Sequence, residues 1–276
     1  MSPASPTEIV PGAGRPLPSP ADPHLLRGAR SPEMPGVRRM PGIRRGHPSP
    51  GGVTPGPGPD NAAGVPLSVR DLHVLRGDVM ALRGVDLDIP PGGVTLLCGG
   101  NGSGKSTLLL ALAGVLPLHS GRVEGLEGVR LALVPQVPPV PQRLPLTVGA
   151  AVAMGRWGGR GLFGRMRRGD REVVGERMRL LGVDALAQRQ LCEVSGGQRQ
   201  RALVAQALVR EAPVLLLDEP TAAADAASRE LIHHAARVEA DRGTTVVLAS
   251  HDPGARDVAD AVITLDSGRV IRAGED

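Results

Sequence analysis

The chain has 276 residues, of which 41% are hydrophobic, but it contains only one Phe, one Trp and no Tyr, so its core must be aliphatic. The formal net charge is +4, of which residues 1–63 supply +3 (seven Arg against four acids), so the rest is too nearly neutral to favour a nucleic-acid partner. No apolar run approaches the roughly 20 residues that span a bilayer, and two distant cysteines favour a reducing compartment. These features predict a cytoplasmic protein that reaches a membrane only through a partner.

The first 63 residues differ in composition from the rest of the chain. They contain fifteen Pro among many Gly, Ser and Arg, and they show no sustained apolar periodicity. Such a segment cannot bury enough apolar surface to offset its chain entropy. We therefore predict a disordered tail over residues 1–63 and a folded domain over residues 64–276.

Two alternating stretches open the folded domain. Residues 67–74 and 82–89 alternate apolar and polar side chains, which is typical of half-exposed strands. The next segment, Val94–Cys98, has the continuous apolar character of a buried parallel strand. This order predicts an antiparallel sheet that leads into a parallel one.

A glycine-rich stretch directly follows Val94–Cys98 and matches the pattern G-x-x-x-x-G-K-[ST]. Its residues are Gly99, Gly100, Asn101, Gly102, Ser103, Gly104, Lys105, Ser106 and Thr107. The glycines let backbone N–H groups converge on phosphate oxygens at a helix N-terminus. Lys105 would reach the β- and γ-phosphates, and the Ser106 hydroxyl would ligate Mg²⁺. An ordinary turn does not need Lys and Ser at fixed positions, so we predict a nucleoside triphosphate site.

Lys105 also stands out in the composition. Of the 32 Lys and Arg residues in the chain, it is the only lysine. A compact ammonium on a flexible stem suits a phosphate cradle where a planar guanidinium does not. The strong preference for Arg elsewhere therefore supports a specific role for this one side chain.

An apolar run at residues 129–134, which predicts a buried strand, leads to Gln136, and the composition of the chain changes after it. Prolines at 138, 139, 141 and 145 indicate a linker, and helical stretches follow to about residue 191. Within them, residues 156–168 hold both aromatic residues and five arginines. Three interpretations stay open for this segment: a nucleic-acid patch with stacking platforms, a loop that contacts another protein, and a solvated loop.

Apolar, β-branched strands then return, separated by a helix. Residues 214–217 form a buried run, residues 226–240 form an amphipathic helix, and residues 244–249 form another buried run before a terminal hairpin at 262–269. The apolar face of the helix is predicted to contain Leu231, Ile232, Ala235 and Val238, with His233 and His234 as surface or packing residues. Alternation of strands and helices predicts a layered α/β core.

Polar residues at the ends of these segments suggest chemistry. Asp218 ends a buried strand at the position that holds Mg²⁺ in P-loop ATPases, and Glu219 is placed to polarise a water that attacks the γ-phosphate. Gln136 and His251 follow other strands, where polar groups meet ligands in open α/β sheets. A second glycine-rich helix start suited to anions contains Ser195, Gly196, Gly197 and Gln198.

Together these motifs resemble the ATP-binding cassette family over residues 65–272. The matching segments are the glycine loop, Gln136, the signature VSGGQ at 194–198, VLLLDEP at 214–220, and His251. The resemblance implies a P-loop NTPase core of the α/β class, with a mostly parallel sheet and helices on both faces. It also implies an N-terminal antiparallel β subdomain and an inserted helical subdomain at about 139–204.

The resemblance further implies a head-to-tail dimer with two ATP molecules between the subunits. Lys105, Ser106 and Asp218 would bind MgATP, with Gln136 as a further metal-contacting residue, while the signature residues of the other subunit would cap the γ-phosphate. Glu219 would act as the general base and His251 would orient the γ-phosphate and water. Gln136 would sense nucleotide, and Asp225 would link the two sites.

Three positions depart from the family pattern. The family has an upstream aromatic that stacks on adenine, whereas the corresponding place here is near Leu75 and Arg76, and Arg76 could stack through its guanidinium plane. The signature begins with Val194 rather than Leu. The segment before Asp225 reads Ala-Ala and lacks the usual Leu, which would weaken coupling between sites.

The segment between Gln136 and Ser195 is short, which resembles the helical subdomain of importers. Residues 144–148, 154–156 and 161–163 look like the ATPases of bacterial zinc and manganese uptake systems, although siderophore and haem importers share parts of them. Such a protein would sit on the inner face of the membrane with a permease and, indirectly, a substrate-binding protein. The alternatives are a soluble cassette protein of translation or DNA repair and a degenerate nucleotide-binding regulator.

Overall fold

The computed structural model describes residues 64–136, 145–159, 166–222 and 224–275. The predicted tail at 1–63, most of the proline linker and the centre of the arginine-rich segment, residues 160–165, lie outside the described residues. None of the described helices is both long and apolar enough to cross a membrane.

Nine strands occur in the described part of the chain. They are β1 (Leu67–Arg76), β2 (Val79–Ile89), β3 (Val94–Cys98), β4 (Ser120–Glu124), β5 (Leu131–Val134), β6 (Val214–Asp218), β7 (Thr245–Ala249), β8 (Ala261–Asp266) and β9 (Arg269–Glu275). A three-stranded antiparallel sheet has the order β2-β1-β4, and a six-stranded sheet has the order β5-β6-β7-β3-β8-β9. Every pair in the larger sheet is parallel except β8 with β9.

Five α-helices connect these strands in the described ranges. They are α1 (Lys105–Leu112), α2 (Val148–Ala153), α3 (Arg168–Leu180), α4 (Gly196–Leu208) and α5 (Ala226–Asp241). Short 3₁₀ helices lie at Met154–Gly159, Asp184–Leu186 and Pro253–Val258. Helix α1, which was predicted to follow the glycine loop, begins at Lys105, within the glycine-loop motif.

The larger sheet is packed on both faces, which explains its continuous apolar strands. Along β6, Leu215 and Leu217 contribute to a core with α2, α3, α4 and α5, whereas Val214 and Leu216 contribute to a core with α1 and the antiparallel sheet. This alternation follows from the two-residue repeat of a strand. The predicted class is confirmed: a mostly parallel α/β core with helices on both faces and an antiparallel β subdomain.

Two predicted elements differ in burial from the expectation. Strand β5 is only half buried, because it forms the edge of the larger sheet. Helix α5 buries Ile232 and Ala235 as predicted, but Leu231 and Val238 are only partly buried, and the inward face also contains His233 and Glu239. Apolar periodicity alone missed this polar part of the face.

The arginine-rich segment begins with a structural ion-pair network. Arg156 donates to Asp170 Oδ1 at 3.0–3.1 Å, to Glu211 Oε2 at 2.7 Å and to the Val209 carbonyl at 2.7 Å. This guanidinium is therefore part of the packing of α3 against the end of α4, and not one of five solvated cations. Trp157, which follows it, is partly exposed at 38%.

Candidate functional site

A cavity of about 560 Å³ lies at the carboxyl ends of the parallel strands, where open α/β sheets bind ligands. The glycine loop forms one wall, and strand ends and the β1–β2 turn form the others. The lining residues are Arg76, Val79, Ala81, Asn101, Gly102, Ser103, Gly104, Lys105, Ser106, Thr107, Gln136, Glu219, Ala222 and His251.

The conformation of the glycine loop explains its glycines. Gly99 has φ 143°, and a Cβ there would lie 2.3 Å from the Leu265 carbonyl oxygen. Gly104 has φ 109°, and a Cβ there would lie 2.8 Å from Leu82 Cδ2. Only glycine tolerates both the backbone angle and the close approach. Gly100 and Gly102 face open space, so the cradle has room for a ligand.

Lys105 lies within this cradle. Its Nζ donates to the carbonyl oxygens of Gly99 at 2.8 Å and Gly100 at 3.2 Å, and it lies 3.5 Å from Glu219 Oε1. The side chain is only 6% exposed, so the ammonium is held inside the loop that it is predicted to share with phosphate. Two carbonyl oxygens and a carboxylate keep the buried charge paired.

The N-terminus of α1 has neither a side-chain cap nor an acid in its first turn. The side chains of Thr147, Ser195 and Asp225 cap α2, α4 and α5, and α3 has Asp170 in its first turn. The first N–H groups of a helix have no partner within the helix. In addition, Ser103 Oγ is buried without a hydrogen-bond partner among the described residues. These donors fit an anion of phosphate type.

The predicted metal-holding residues meet at the start of α1. Ser106 Oγ donates to Asp218 Oδ1 at 2.9 Å, and Gln136 lines the cavity beside them. Burial raises the pKa of Asp218, and the nearby Glu219 adds to this, while hydrogen bonds from Ser106 and from the Gln136 backbone oppose it. A cation at this position would favour the ionised carboxylate, so the donor set fits Mg²⁺.

Glu219 and His251 form a direct pair in the cavity. His251 Nδ1 lies 2.7 Å from Glu219 Oε2, and the imidazole is 66% exposed while the carboxylate is 9% exposed. Glu219 has φ 47°, in the left-handed region, and its N–H donates to the Ala249 carbonyl at 2.9 Å. Strands β6 and β7 thus deliver a base and a histidine side by side.

The signature residues lie apart from this cavity. Ser195 Oγ accepts from the Gln198 N–H at 3.2 Å, and Gln198 Oε1 accepts from the Ser195 N–H at 3.0 Å, which forms a capping box for α4. Gly196 begins α4, and Gly197 is buried against Ser228, whose Oγ would lie 2.8 Å from a Cβ. None of these residues lines the described cavity.

Three cavity residues, Val79, Ala81 and Ala222, were missed by the sequence analysis. Val79 and Ala81 line the cavity together with Arg76, near which the sequence analysis expected the base of a nucleotide. Val79 is 64% exposed, which is unusual for a valine in a strand. This exposure marks Val79 as a cavity residue, and it can be seen only in the structure. The wall at this end is therefore one cation beside small apolar groups.

Fold and site together define a P-loop nucleotide-binding ATPase. The family model described as ABC transporter matches residues 82–222, so the chain belongs to the ABC transporter ATPase family. The chain is 40% identical over 190 residues to the zinc import ATP-binding protein ZnuC of Cereibacter sphaeroides, covering 67% of this chain and 72% of that protein. It is 39% identical over 233 residues to the hemin import ATP-binding protein HmuV of Streptomyces coelicolor, covering 80% of this chain and 82% of that protein.

A solved structure agrees with this family. A bacterial ABC transporter cassette determined as a dimer matches with a TM-score of 0.64 at 25% identity, covering 76% of this chain and 98% of that one. The chain is thus an ATP-binding, ATP-hydrolysing cassette of the kind found in importers. The predicted activity and the predicted family are confirmed.

Proposed function

We propose that this ATPase powers import of a metal ion, zinc or manganese, through a membrane permease. The zinc import relative, 40% identical, supports this substrate class. On this proposal the chain lies on the inner face of the membrane, residues 64–276 form the cassette, and the helical segment at about 139–204 docks the permease. A substrate-binding protein would deliver the ion to the permease.

The residues of the cavity account for hydrolysis on this proposal. Lys105 and the N–H groups of α1 bind the β- and γ-phosphates, because the helix N-terminus has no side-chain cap and the ammonium lies in the same cradle. Glu219 accepts a proton from the attacking water, and His251, at 2.7 Å, holds that carboxylate and reaches the γ-phosphate from the exposed side.

Mg²⁺ would be held by Ser106, Asp218 and Gln136. When bound, the ion neutralises charge on the transferred phosphoryl group. The Ser106 hydroxyl donates a hydrogen bond to Asp218 Oδ1 at 2.9 Å, and with the ion bound Ser106 would turn a lone pair of its oxygen to the ion. Asp218 stays ionised there because the cation offsets its burial.

A second copy of the cassette would complete the site. The observation that carries this step is that Ser195 and Gly196 are exposed at the N-terminus of α4 while the cavity with Lys105 does not contain them. We therefore propose a head-to-tail dimer, homomeric or with a related ATPase subunit, in which each signature faces the partner's glycine loop. The relative solved as a dimer supports this arrangement.

Import of haem or a siderophore is the second candidate. The hemin import relative is 39% identical and aligns over 80% of this chain, more than the zinc relative does. The ATPase site does not distinguish the two candidates, because ATP hydrolysis in this cavity would drive either kind of import. Uptake measurements must therefore separate them.

The enzymatic part is tested by comparing the wild type with Glu219→Gln. The variant keeps the shape of the side chain but cannot accept a proton, so we expect ATP hydrolysis to fall by about 10²-fold or more while ATP still binds. Phosphate release and nucleotide binding are measured on the full chain. A wild type as inactive as the variant would indicate the degenerate regulator instead.

The transport part is tested in the native cell. We expect the tagged full chain to co-purify with an integral membrane permease from detergent extracts. A deletion strain should lose uptake of radioactive zinc or manganese. The wild-type chain should restore this uptake, and Glu219→Gln should not. Loss of haem uptake with normal zinc and manganese uptake would favour the second candidate. Recovery with ribosomes or DNA would contradict both.

A further inference from the structure

Two buried polar atoms beside the site have no hydrogen-bond partner among the described residues. They are His233 Nε2 on α5 and Asp252 Oδ2, in the residue that follows His251. The two atoms lie 4.0 Å apart, and their side chains are 8% and 17% exposed. Asp252 Oδ2 has an ion-pair partner in Arg229, but His233 Nε2 has no hydrogen bond among the described residues, and a buried donor left without one is costly.

Burial favours the neutral form of the His233 ring. Burial lowers the pKa of His233, and Arg229 on the same helix acts in the same direction, while Asp252 and Asp257 oppose them. Arg229 Nε also lies 3.4 Å from Asp252 Oδ2. A neutral imidazole with its proton on Nε2 is a donor, and the facing carboxylate oxygen is an acceptor.

Asp252 is built into the turn that carries His251. Its Oδ1 accepts from the Gly254 N–H at 3.1 Å, and its own N–H donates to Ser250 Oγ at 3.0 Å. A movement of the carboxylate therefore moves this turn as a unit. Closing the 4.0 Å gap to a hydrogen bond of about 3 Å requires a shift of about 1 Å.

We propose that His233 is a positioning residue for ATP hydrolysis, whose Nε2–H closes onto Asp252 Oδ2 and fixes the turn that aims His251 at the γ-phosphate. The inference rests on the role proposed above for His251. Helix α5, which begins after its cap Asp225, would then act on the γ-phosphate end of the nucleotide through His233, Asp252 and His251. A displacement of about 1 Å in a catalytic group is enough to change a rate strongly.

The test compares His233→Leu with His233→Gln in the full chain. Leu removes the donor and suits a buried site, so we expect kcat for ATP hydrolysis to fall roughly tenfold, as for one lost hydrogen bond, with an unchanged KM for ATP. The midpoint of thermal unfolding should stay the same or rise, since an unsatisfied polar group is removed. Gln carries an amide N–H near the Nε2 position and should keep kcat within about threefold, because the donor is retained.

His234 provides the matched control, because it neighbours His233 on α5 but is exposed. His234→Leu should leave kcat unchanged. Where His233→Leu does not fold, His233→Met is the substitute with the same expectation, since Met adapts to irregular space.

Several results would overturn the proposal. They are an unchanged kcat in His233→Leu, an equal loss in His233→Gln, or a loss of kcat that is matched by a lower unfolding temperature. His251→Ala, measured in parallel, separates the two levels of inference. If it leaves kcat unchanged, the role of His251 is wrong; if it lowers kcat while His233→Leu does not, only the positioning role is wrong.

Discussion

Glu219 combines a chemical role with an unfavourable backbone. Its φ of 47° places a side chain with a Cβ in the left-handed region, which costs about 1–2 kcal/mol relative to the usual conformations. The N–H bond to Ala249 and the contacts with Lys105 and His251 hold the residue there. Backbone strain of this kind is often concentrated at functional positions.

Glu219→Gly compared with Glu219→Ala should isolate the backbone strain. Both variants leave the buried Lys105 ammonium without its carboxylate and lose ATP hydrolysis, but only glycine relieves the strain at φ 47°. We therefore expect Glu219→Gly to be more stable than Glu219→Ala by about 1 kcal/mol in urea unfolding. Ser267→Gly is the matched control, since Ser267 has φ 49° and is exposed outside the cavity; it should stabilise the chain and keep the rate of phosphate release. A Glu219→Gly protein no more stable than Glu219→Ala would count against the strain argument.

At the scale of elements, α3 is linked to α5 by a buried ion pair. Arg177 on α3 and Arg242 at the end of α5 each lie 3.2 Å from Glu239 Oε1. Arg177 and Glu239 are only 5% and 6% exposed. Burial, together with the negative charges of Glu211 and Glu176, raises the pKa of Glu239 to about 7. Burial outweighs the two arginines, so the folded chain favours the neutral form of this carboxyl more than the unfolded chain does.

The sign of the pH effect follows from the raised pKa. Between the unfolded value of 4.5 and about 7, the folded chain binds more protons at Glu239 than the unfolded chain does. The contribution of Glu239 to stability is therefore greatest at low pH and declines as the pH rises through this window.

Glu239→Gln removes this titration. We expect the free energy of unfolding of the wild type minus that of the variant to fall by about 2–3 kcal/mol between pH 4.5 and pH 7.5, at about 1.4 kcal/mol per pKa unit. Urea unfolding across this range gives the difference. A constant difference for Glu239→Gln would contradict the prediction.

The elements that could be predicted from the sequence are those whose burial is local. Strands β3, β6 and β7 are buried on both faces, so their continuous apolar runs were sufficient, and they place Lys105, Glu219 and His251 near one cavity. The inward position of Glu239 was missed, and that of His233 was left open between surface and packing, because their partners lie on other elements. The wall formed by Val79 was missed because it depends on how the β1–β2 turn approaches the glycine loop.

At the scale of the whole molecule, the two halves of the proposed site face different directions. The cavity holds Lys105, while Ser195 begins α4 outside it. Two copies arranged head to tail would form two sites, each with a glycine loop from one copy and a signature from the other. Each copy therefore contributes to both sites.

This arrangement predicts complementation between inactive variants. Lys105→Ala and Ser195→Ala should each lack most of the ATPase activity, but a mixed dimer contains one site with neither substitution. We expect an equimolar mixture to recover a substantial part of the wild-type rate, measured as phosphate release after exchange of subunits. A mixture no more active than the separate variants would contradict a shared site. Glu219→Gln mixed with Lys105→Ala is the control. Both substitutions lie in the half of the site that contains the glycine loop, so each of the two sites in a mixed dimer carries one of them and neither site is intact.

The solitary lysine has a practical consequence. The buried ε-amine of Lys105 is the one lysine amine in the sequence, and it faces the cavity in which ATP is expected. A small amine-directed acylating reagent would modify Lys105 and the N-terminal α-amine, and a bound phosphate would shield only Lys105. Labelling measured on the peptide that contains Lys105 therefore reports nucleotide occupancy, with the N-terminal amine as an internal reference and without an engineered probe.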